Sequence, residues 1–94
     1  MDMFTEVISA EYIGEYKVSV LFNNGVKKKI DFYTILFLND YPAFRPLKDI
    51  EVFRKFNVTD TLEWDNGNID IAPETMYDMG EIEPVSKSKI EHLM

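Results

Sequence analysis

The residues of this chain that could do chemistry are concentrated between positions 64 and 77, where carboxylates and aromatic rings occur close together. The five that could share one surface are Trp64, Asp65, Asp70, Glu74 and Tyr77. Carboxylates can hold a metal ion or exchange protons, and aromatic rings can stack on a ligand. The spacing does not match the calcium loop, whose glycine stands at the sixth position. We therefore predict an interaction or ligand surface here, with no metal and no cofactor.

Four of these residues also have a purely structural interpretation, which we favour for each of the four taken singly. Asp70 and Glu74 flank Pro73, and a carboxylate near a Pro-initiated helical turn accepts backbone N–H bonds and lies at the positive end of the helix dipole. Trp64 and Tyr77 are typical core aromatics with polar tips at the edge.

Enzymatic catalysis has no further candidate. His92 lies in a predicted C-terminal tail, where no second group orients it as a base. The serines fall in predicted strands or in the tail, without a neighbouring base; they are Ser9, Ser19, Ser86 and Ser88. We expect that the protein is not an enzyme.

Charge and composition narrow the possible partners. Ten basic and seventeen acidic residues give a net charge of −7, which repels nucleic acids and anionic membranes. The basic run at 27–29 is typical of a solvated strand end. With no cysteine, no signal-peptide pattern at the N-terminus and no apolar run of about 20 residues, we expect a cytoplasmic protein without a membrane partner.

The first third of the chain predicts three antiparallel strands, over residues 4–13, 16–23 and 26–32. The loop between the second and third strands follows from register, because a slip of one residue would turn the apolar set to the wrong face. A two-residue loop at 24–25 would place Ser19 opposite Ile30. A three-residue loop at 23–25 instead aligns Val18 with Ile30, so we predict this loop with Gly25 at positive φ.

The remaining elements are shorter. Residues 33–38 are compatible with a helical turn or a continued strand, and we favour the helical turn; two prolines predict a loop over 39–46. Asp49 is a good N-cap for a helix over 50–56. Residues 57–59 and 61–64 predict a strand pair. The predicted fold is α+β, a three-stranded antiparallel meander, a short helix and a further strand pair, in one domain over 1–80 with an irregular or short helical tail over 81–94.

Five segments, in order and spacing, resemble a family of small bacterial proteins known as domain-of-unknown-function family 2442. They are residues 22–25, 30–32, 44–53, 62–67 and 70–77. The resemblance covers roughly residues 4–78 and implies an α+β fold with no established activity. It also implies a bacterial origin and frequent gene neighbourhood with another small protein, an arrangement similar to toxin–antitoxin pairs.

Two functional hypotheses remain open. The first is a protein-interaction module, the acidic antitoxin-like member of a two-gene pair, which masks a basic surface on a protein partner. The second is a small-ligand binder or enzyme with a pocket lined by the stretch from Trp64 to Tyr77. A plainer explanation of the acidic excess is solubility. The sequence does not fix the oligomeric state.

Overall fold

The computed structural model describes residues 4–82. Its strands are β1 (Val7–Gly14), β2 (Lys17–Phe22), β3 (Lys27–Asp31), β4 (Asn57–Val58), β5 (Leu62–Trp64), β6 (Ile69–Ile71) and β7 (Glu81–Ile82). Its α-helices are α1 (Ile50–Phe53) and α2 (Pro73–Met79). Within the described residues, no helix is long and apolar enough to cross a membrane.

Within residues 4–82 the strands form two antiparallel sheets, with the orders β1-β2-β3-β7 and β4-β5-β6. The predicted α+β fold is confirmed, with its meander in β1–β3 and its later strand pair in β4 and β5. Two strands were not expected. β6 adds to the pair, and β7 extends the first sheet with two residues of the segment 81–94 that the sequence assigned to a tail. The expected short helix in that tail lies outside the described residues.

The register predicted for the β2–β3 hairpin is confirmed. Val18 lies opposite Ile30, and the Phe22 N–H donates to the Val26 carbonyl at 2.9 Å. The three-residue loop closes with a bond from the Gly25 N–H to the Phe22 carbonyl at 2.9 Å, and Gly25 has φ +87°. This register places Val18, Val20 and Phe22 together in the core.

The segment between the sheets is more helical and more irregular than predicted. Thr34–Leu38 forms a π-helical turn, in line with the favoured helical reading, while Pro42–Lys48 forms a 3₁₀ helix where a loop was expected. Asp49 caps α1 as predicted, accepting from the Glu51 N–H at 3.0 Å. The helix ends at Phe53 instead of Phe56, because the chain must turn there to enter β4.

The core is an aromatic cluster between the two sheets, centred on Phe53. The Phe53 ring lies 5.3 Å from Tyr16 and 5.4 Å from Phe32, both edge-on, and stacks at 5.9 Å on Trp64. Burying a large apolar side chain contributes about 1.5–3 kcal/mol, so this cluster holds the second sheet to the first.

β1 is irregular at two points. The pairing with β2 shifts between Val7 and Ser9 and again between Tyr12 and Gly14. Ile8 and Ile13 are the extra residues at these bulges, and both side chains are exposed. Each extra residue interrupts the hydrogen-bonded ladder and bends the strand.

Gly25→Val should destabilise the fold by about 1–3 kcal/mol, because a β-branched residue is strained at positive φ. No atom lies within 4 Å of the added Cβ, so the cost comes from the backbone alone. Urea unfolding measures it. Gly25→Asn is the matched control, since asparagine tolerates this conformation. Equal stability of Gly25→Val and wild type would contradict the bulged hairpin.

Gly80→Ala should also destabilise, by about 1–3 kcal/mol, but for a steric reason. Gly80 has an ordinary φ of −79°, yet a Cβ there would lie 2.9 Å from the Lys28 Cβ and 3.0 Å from the Ile30 Cγ1. Thermal unfolding measures the loss of stability. Asp78→Ala, at an exposed position on α2, is the control, because it introduces alanine into the same region without the close contact. A Gly80→Ala variant that unfolds no earlier than Asp78→Ala would refute the close approach.

Candidate functional site

Trp64, the first of the five predicted surface residues, lies in the core. Its side chain is fully buried, and its indole N–H donates to the Phe53 carbonyl at 2.7 Å. Phe56 packs edge-on against it at 6.4 Å. The structural interpretation therefore describes Trp64 correctly, and its ring offers no face to a ligand.

Tyr77 is half-buried on α2 and contacts three residues of the β2–β3 hairpin. Its ring lies edge-on to Phe22 at 5.0 Å, and its hydroxyl accepts from the Asn24 Nδ2 at 3.1 Å. The Lys28 Nζ lies 3.6 Å above the ring and donates to the Tyr77 carbonyl at 2.5 Å. Trp64 and Tyr77 thus pack against different rings, Trp64 against Phe53 and Phe56 and Tyr77 against Phe22.

Asp65 and Glu74 are exposed, each at the start of a helical turn. Asp65 has φ +55° and opens the 3₁₀ turn Asp65–Gly67, and its Oδ2 accepts from the Asn68 Nδ2 at 3.3 Å. Glu74 follows Pro73 in the first turn of α2, where the helix dipole favours a carboxylate. Asp70 was expected near that turn as well, but it lies in β6.

The second sheet brings Asp70 directly opposite Glu63, a residue that the sequence did not assign to the candidate surface. In the register of β5 and β6, Glu63 pairs with Asp70, and Asn57 of β4 pairs with Glu63 on the other side. The neighbours Leu62, Trp64, Ile69 and Ile71 are buried, so the acidic pair points away from the core. We call the row Asn57, Glu63 and Asp70 the acidic face.

The acidic face is not neutralised by a nearby cation. In the described part of the chain, no lysine or arginine nitrogen lies within 4.0 Å of Glu63 or Asp70. The Glu63 Oε2 instead accepts a hydrogen bond from the Thr59 hydroxyl at 3.3 Å. Between Lys55 and Lys87 the sequence contains no lysine, arginine or histidine. Like charges directly opposite each other across two strands repel, so this pair costs the free protein stability.

Two carboxylates elsewhere, Asp40 and Glu51, are paired with cations. Hydrogen bonds from Lys48 and Arg45 hold the pKa of the Asp40 carboxyl below its usual value, and a hydrogen bond from Arg54 lowers the pKa of Glu51. Since both pKa values lie below those of the unfolded chain, these pairs stabilise the fold at neutral pH. That contribution is lost as the pH falls through the lowered values.

The acidic face is suited to recognising positive charge. Within residues 4–82, no three histidine, cysteine or acidic side chains are placed to hold a metal ion. A cavity of about 380 Å³ adjoins the stretch at Asp65 and Ile69; its other walls are Pro46, Glu51, Val52 and Lys55. Of the five predicted surface residues, Asp65 is the one that lines this cavity.

A signal for Glu63 was present in the sequence. Leu62-Glu63-Trp64 and Ile69-Asp70-Ile71 have the same alternation of apolar, acidic and apolar residues. In strands, alternate side chains point to opposite faces, so both triplets predict a carboxylate pointing outward. The nearby Pro73 led us to assign Asp70 to the following helix instead.

Comparison with known proteins gives a family match. The model of a family described as "Protein of unknown function (DUF2442)" matches residues 7–81, which include α2, the second sheet and all of the first sheet except Ile82. No curated protein and no solved structure gives a significant match.

Asp70→Asn should stabilise the protein by about 0.2–1 kcal/mol at low salt, because it removes the repulsion from Glu63. The gain should shrink in about 1 M salt, where the screening length falls to about 3 Å. Denaturant unfolding at both salt concentrations measures it. Glu11→Gln is the control, since Glu11 lies opposite Ser19 on the first sheet. Loss of stability in Asp70→Asn, or a gain equal to that of Glu11→Gln, would contradict the proposed repulsion.

Proposed function

Since the chain belongs to the DUF2442 family of proteins of unknown function, its role has to be inferred from its own surface, and we propose that it is a protein-interaction module that binds a basic protein. Lysine or arginine side chains of the partner contact the acidic face. In this way the present chain masks a basic surface on the partner. In this proposal the protein acts in the cytoplasm, and its cysteine-free sequence suits that reducing compartment.

The single observation that carries this proposal is the pairing of Glu63 with Asp70. Their repulsion is unfavourable in the free protein, and a cation placed between the two carboxylates would turn it into attraction. Electrostatic complementarity of this kind mainly raises the association rate and selects the sign of the partner. Nucleic acid carries the wrong charge for this surface.

We further propose that the partner is encoded by a neighbouring gene, with this chain as the acidic, antitoxin-like member of the pair. The gene arrangement implied by the family resemblance supports this. The net charge of −7 supports it as well, because an acidic protein of this size suits the neutralisation of a basic one.

A pull-down from the source organism with three baits tests the proposal. The baits are the wild type, Glu63→Gln/Asp70→Asn, and Glu6→Gln/Glu11→Gln, which removes the same charge from β1 and the residues before it. We expect the wild type and the β1-side control to recover one basic protein at low salt. The acidic-face variant should not recover this protein, because its two carboxylate charges are gone. In about 1 M salt no bait should recover it, because the attraction is screened.

Three results would refute the proposed function. They are recovery of nucleic acid, recovery of nothing at any salt concentration, and equal recovery of a protein by all three baits. If the recovered basic protein is not encoded by a neighbouring gene, the proposed two-gene pair is wrong. The proposal that this chain binds a basic protein would still be supported.

A further inference from the structure

A second surface feature is a groove of about 540 Å³ beside the first sheet, lined by Glu15, Tyr16, Asp31, Tyr33 and Ile50. It forms where the β1–β2 turn meets the residues that follow β3. Two tyrosines, two acidic residues and an isoleucine from separate parts of the sequence therefore line one cavity.

Both rings are held in place by the fold. The Tyr16 hydroxyl donates to the Lys48 carbonyl, and its ring lies edge-on to Phe37 at 5.1 Å. The Tyr33 ring stacks on Phe37 at 4.7 Å with 23° between the planes. A stacked neighbour covers one face of a ring, and Tyr33 is still 48% exposed. Tyr33 therefore keeps a ring face for a ligand, at little cost in side-chain entropy.

The charge beside these rings is negative and only partly compensated. The Lys17 Nζ lies 3.3 Å from the Glu15 carboxylate, which accounts for one charge. The Asp31 Oδ1 accepts from the Tyr33 backbone N–H at 3.0 Å. Within residues 4–82 no cation lies within 4.0 Å of Asp31, and no hydrogen bond occupies its Oδ2. One carboxylate charge is thus left beside an open aromatic face.

We propose that this groove binds the guanidinium group of an arginine side chain in a polypeptide. A guanidinium is flat, so it can stack on the Tyr33 ring while its N–H groups donate to the Asp31 carboxylate. An ammonium can satisfy the charge but does not stack in this way. The site is separate from the acidic face and does not depend on the proposed partner.

The test is an NMR titration of the full chain with two blocked amino acids, N-acetyl-arginine methylamide and N-acetyl-citrulline methylamide. Citrulline has nearly the same shape as arginine but no charge. We expect the arginine compound to shift resonances of Tyr16 and Tyr33. The citrulline compound should bind at least about tenfold more weakly, since it lacks the charge that attracts both the ring face and the Asp31 carboxylate.

Variants locate the site. Asp31→Asn and Tyr33→Leu should each weaken arginine binding at least about fivefold, whereas Tyr33→Phe should keep it because the ring remains. Glu11→Gln removes an exposed charge on β1 outside the groove and should leave the shifts of Tyr16 and Tyr33 unchanged, which separates this site from the general negative charge of the chain. Unshifted resonances from residues of the second sheet in each variant confirm that the fold is intact.

Several results would overturn the assignment. They are equal binding of the two compounds, no resonance shift up to the solubility limit of the arginine compound, or undiminished binding in folded Asp31→Asn. A free guanidinium ion that binds as tightly as the blocked amino acid would also overturn it, since the polypeptide part would then contribute nothing. Failure of the pull-down would leave this proposal standing, and failure of the titration would leave the proposed function standing.

Discussion

The contact between Phe53 and Trp64 is the interaction on which the rest of this structure depends. The rings stack, and the Trp64 indole N–H donates to the Phe53 carbonyl, so a short helix and the second sheet are fixed to each other in position and orientation. The Phe53 ring also packs edge-on against Tyr16, in the β1–β2 turn, and against Phe32, the residue after β3. With Trp64 directed inward, Glu63 must point outward. With Tyr16 packed on Phe53, one wall of the groove is rigid. Both proposed surfaces therefore follow from the same buried contact.

The sequence predicted those features for which the side-chain pattern is compatible with a single arrangement of the backbone. The β2–β3 register follows because Val18, Val20 and Phe22 can share a face with Ile30 in one alignment. Asp49 was recognisable as a helix cap because its carboxylate satisfies a local N–H group. In each case the deciding partners lie close together along the chain.

The features that were missed depend on contacts between distant residues. β7 has two residues and exists because Glu81 and Ile82 pair with β3, fifty positions earlier in the sequence. The early end of α1 at Phe53 is set by the strand that follows and not by helix propensity. β6 has three residues, and Pro73 obscured its alternation. The groove is not predictable from the sequence, because Tyr16, Tyr33 and Ile50 come together only when the core has formed.

The two bulges in β1 bear on how this protein stays apart from copies of itself. Within residues 4–82, β2 is the strand that pairs with β1, and the Val7 N–H at the start of β1 donates to the Asp60 carbonyl at 2.9 Å. The rest of that edge has no strand partner in this part of the chain, so it can offer backbone groups to an extended chain. A regular eight-residue edge carrying exposed Ile8 and Ile13 would be a template for edge-to-edge aggregation. The bulges break that edge into short pieces and twist them out of line, so an incoming strand cannot continue its ladder for more than a few residues. The irregularity of β1 thus opposes amyloid-like growth through backbone geometry, in addition to the charges of Glu11 and Glu15 on either side of Ile13.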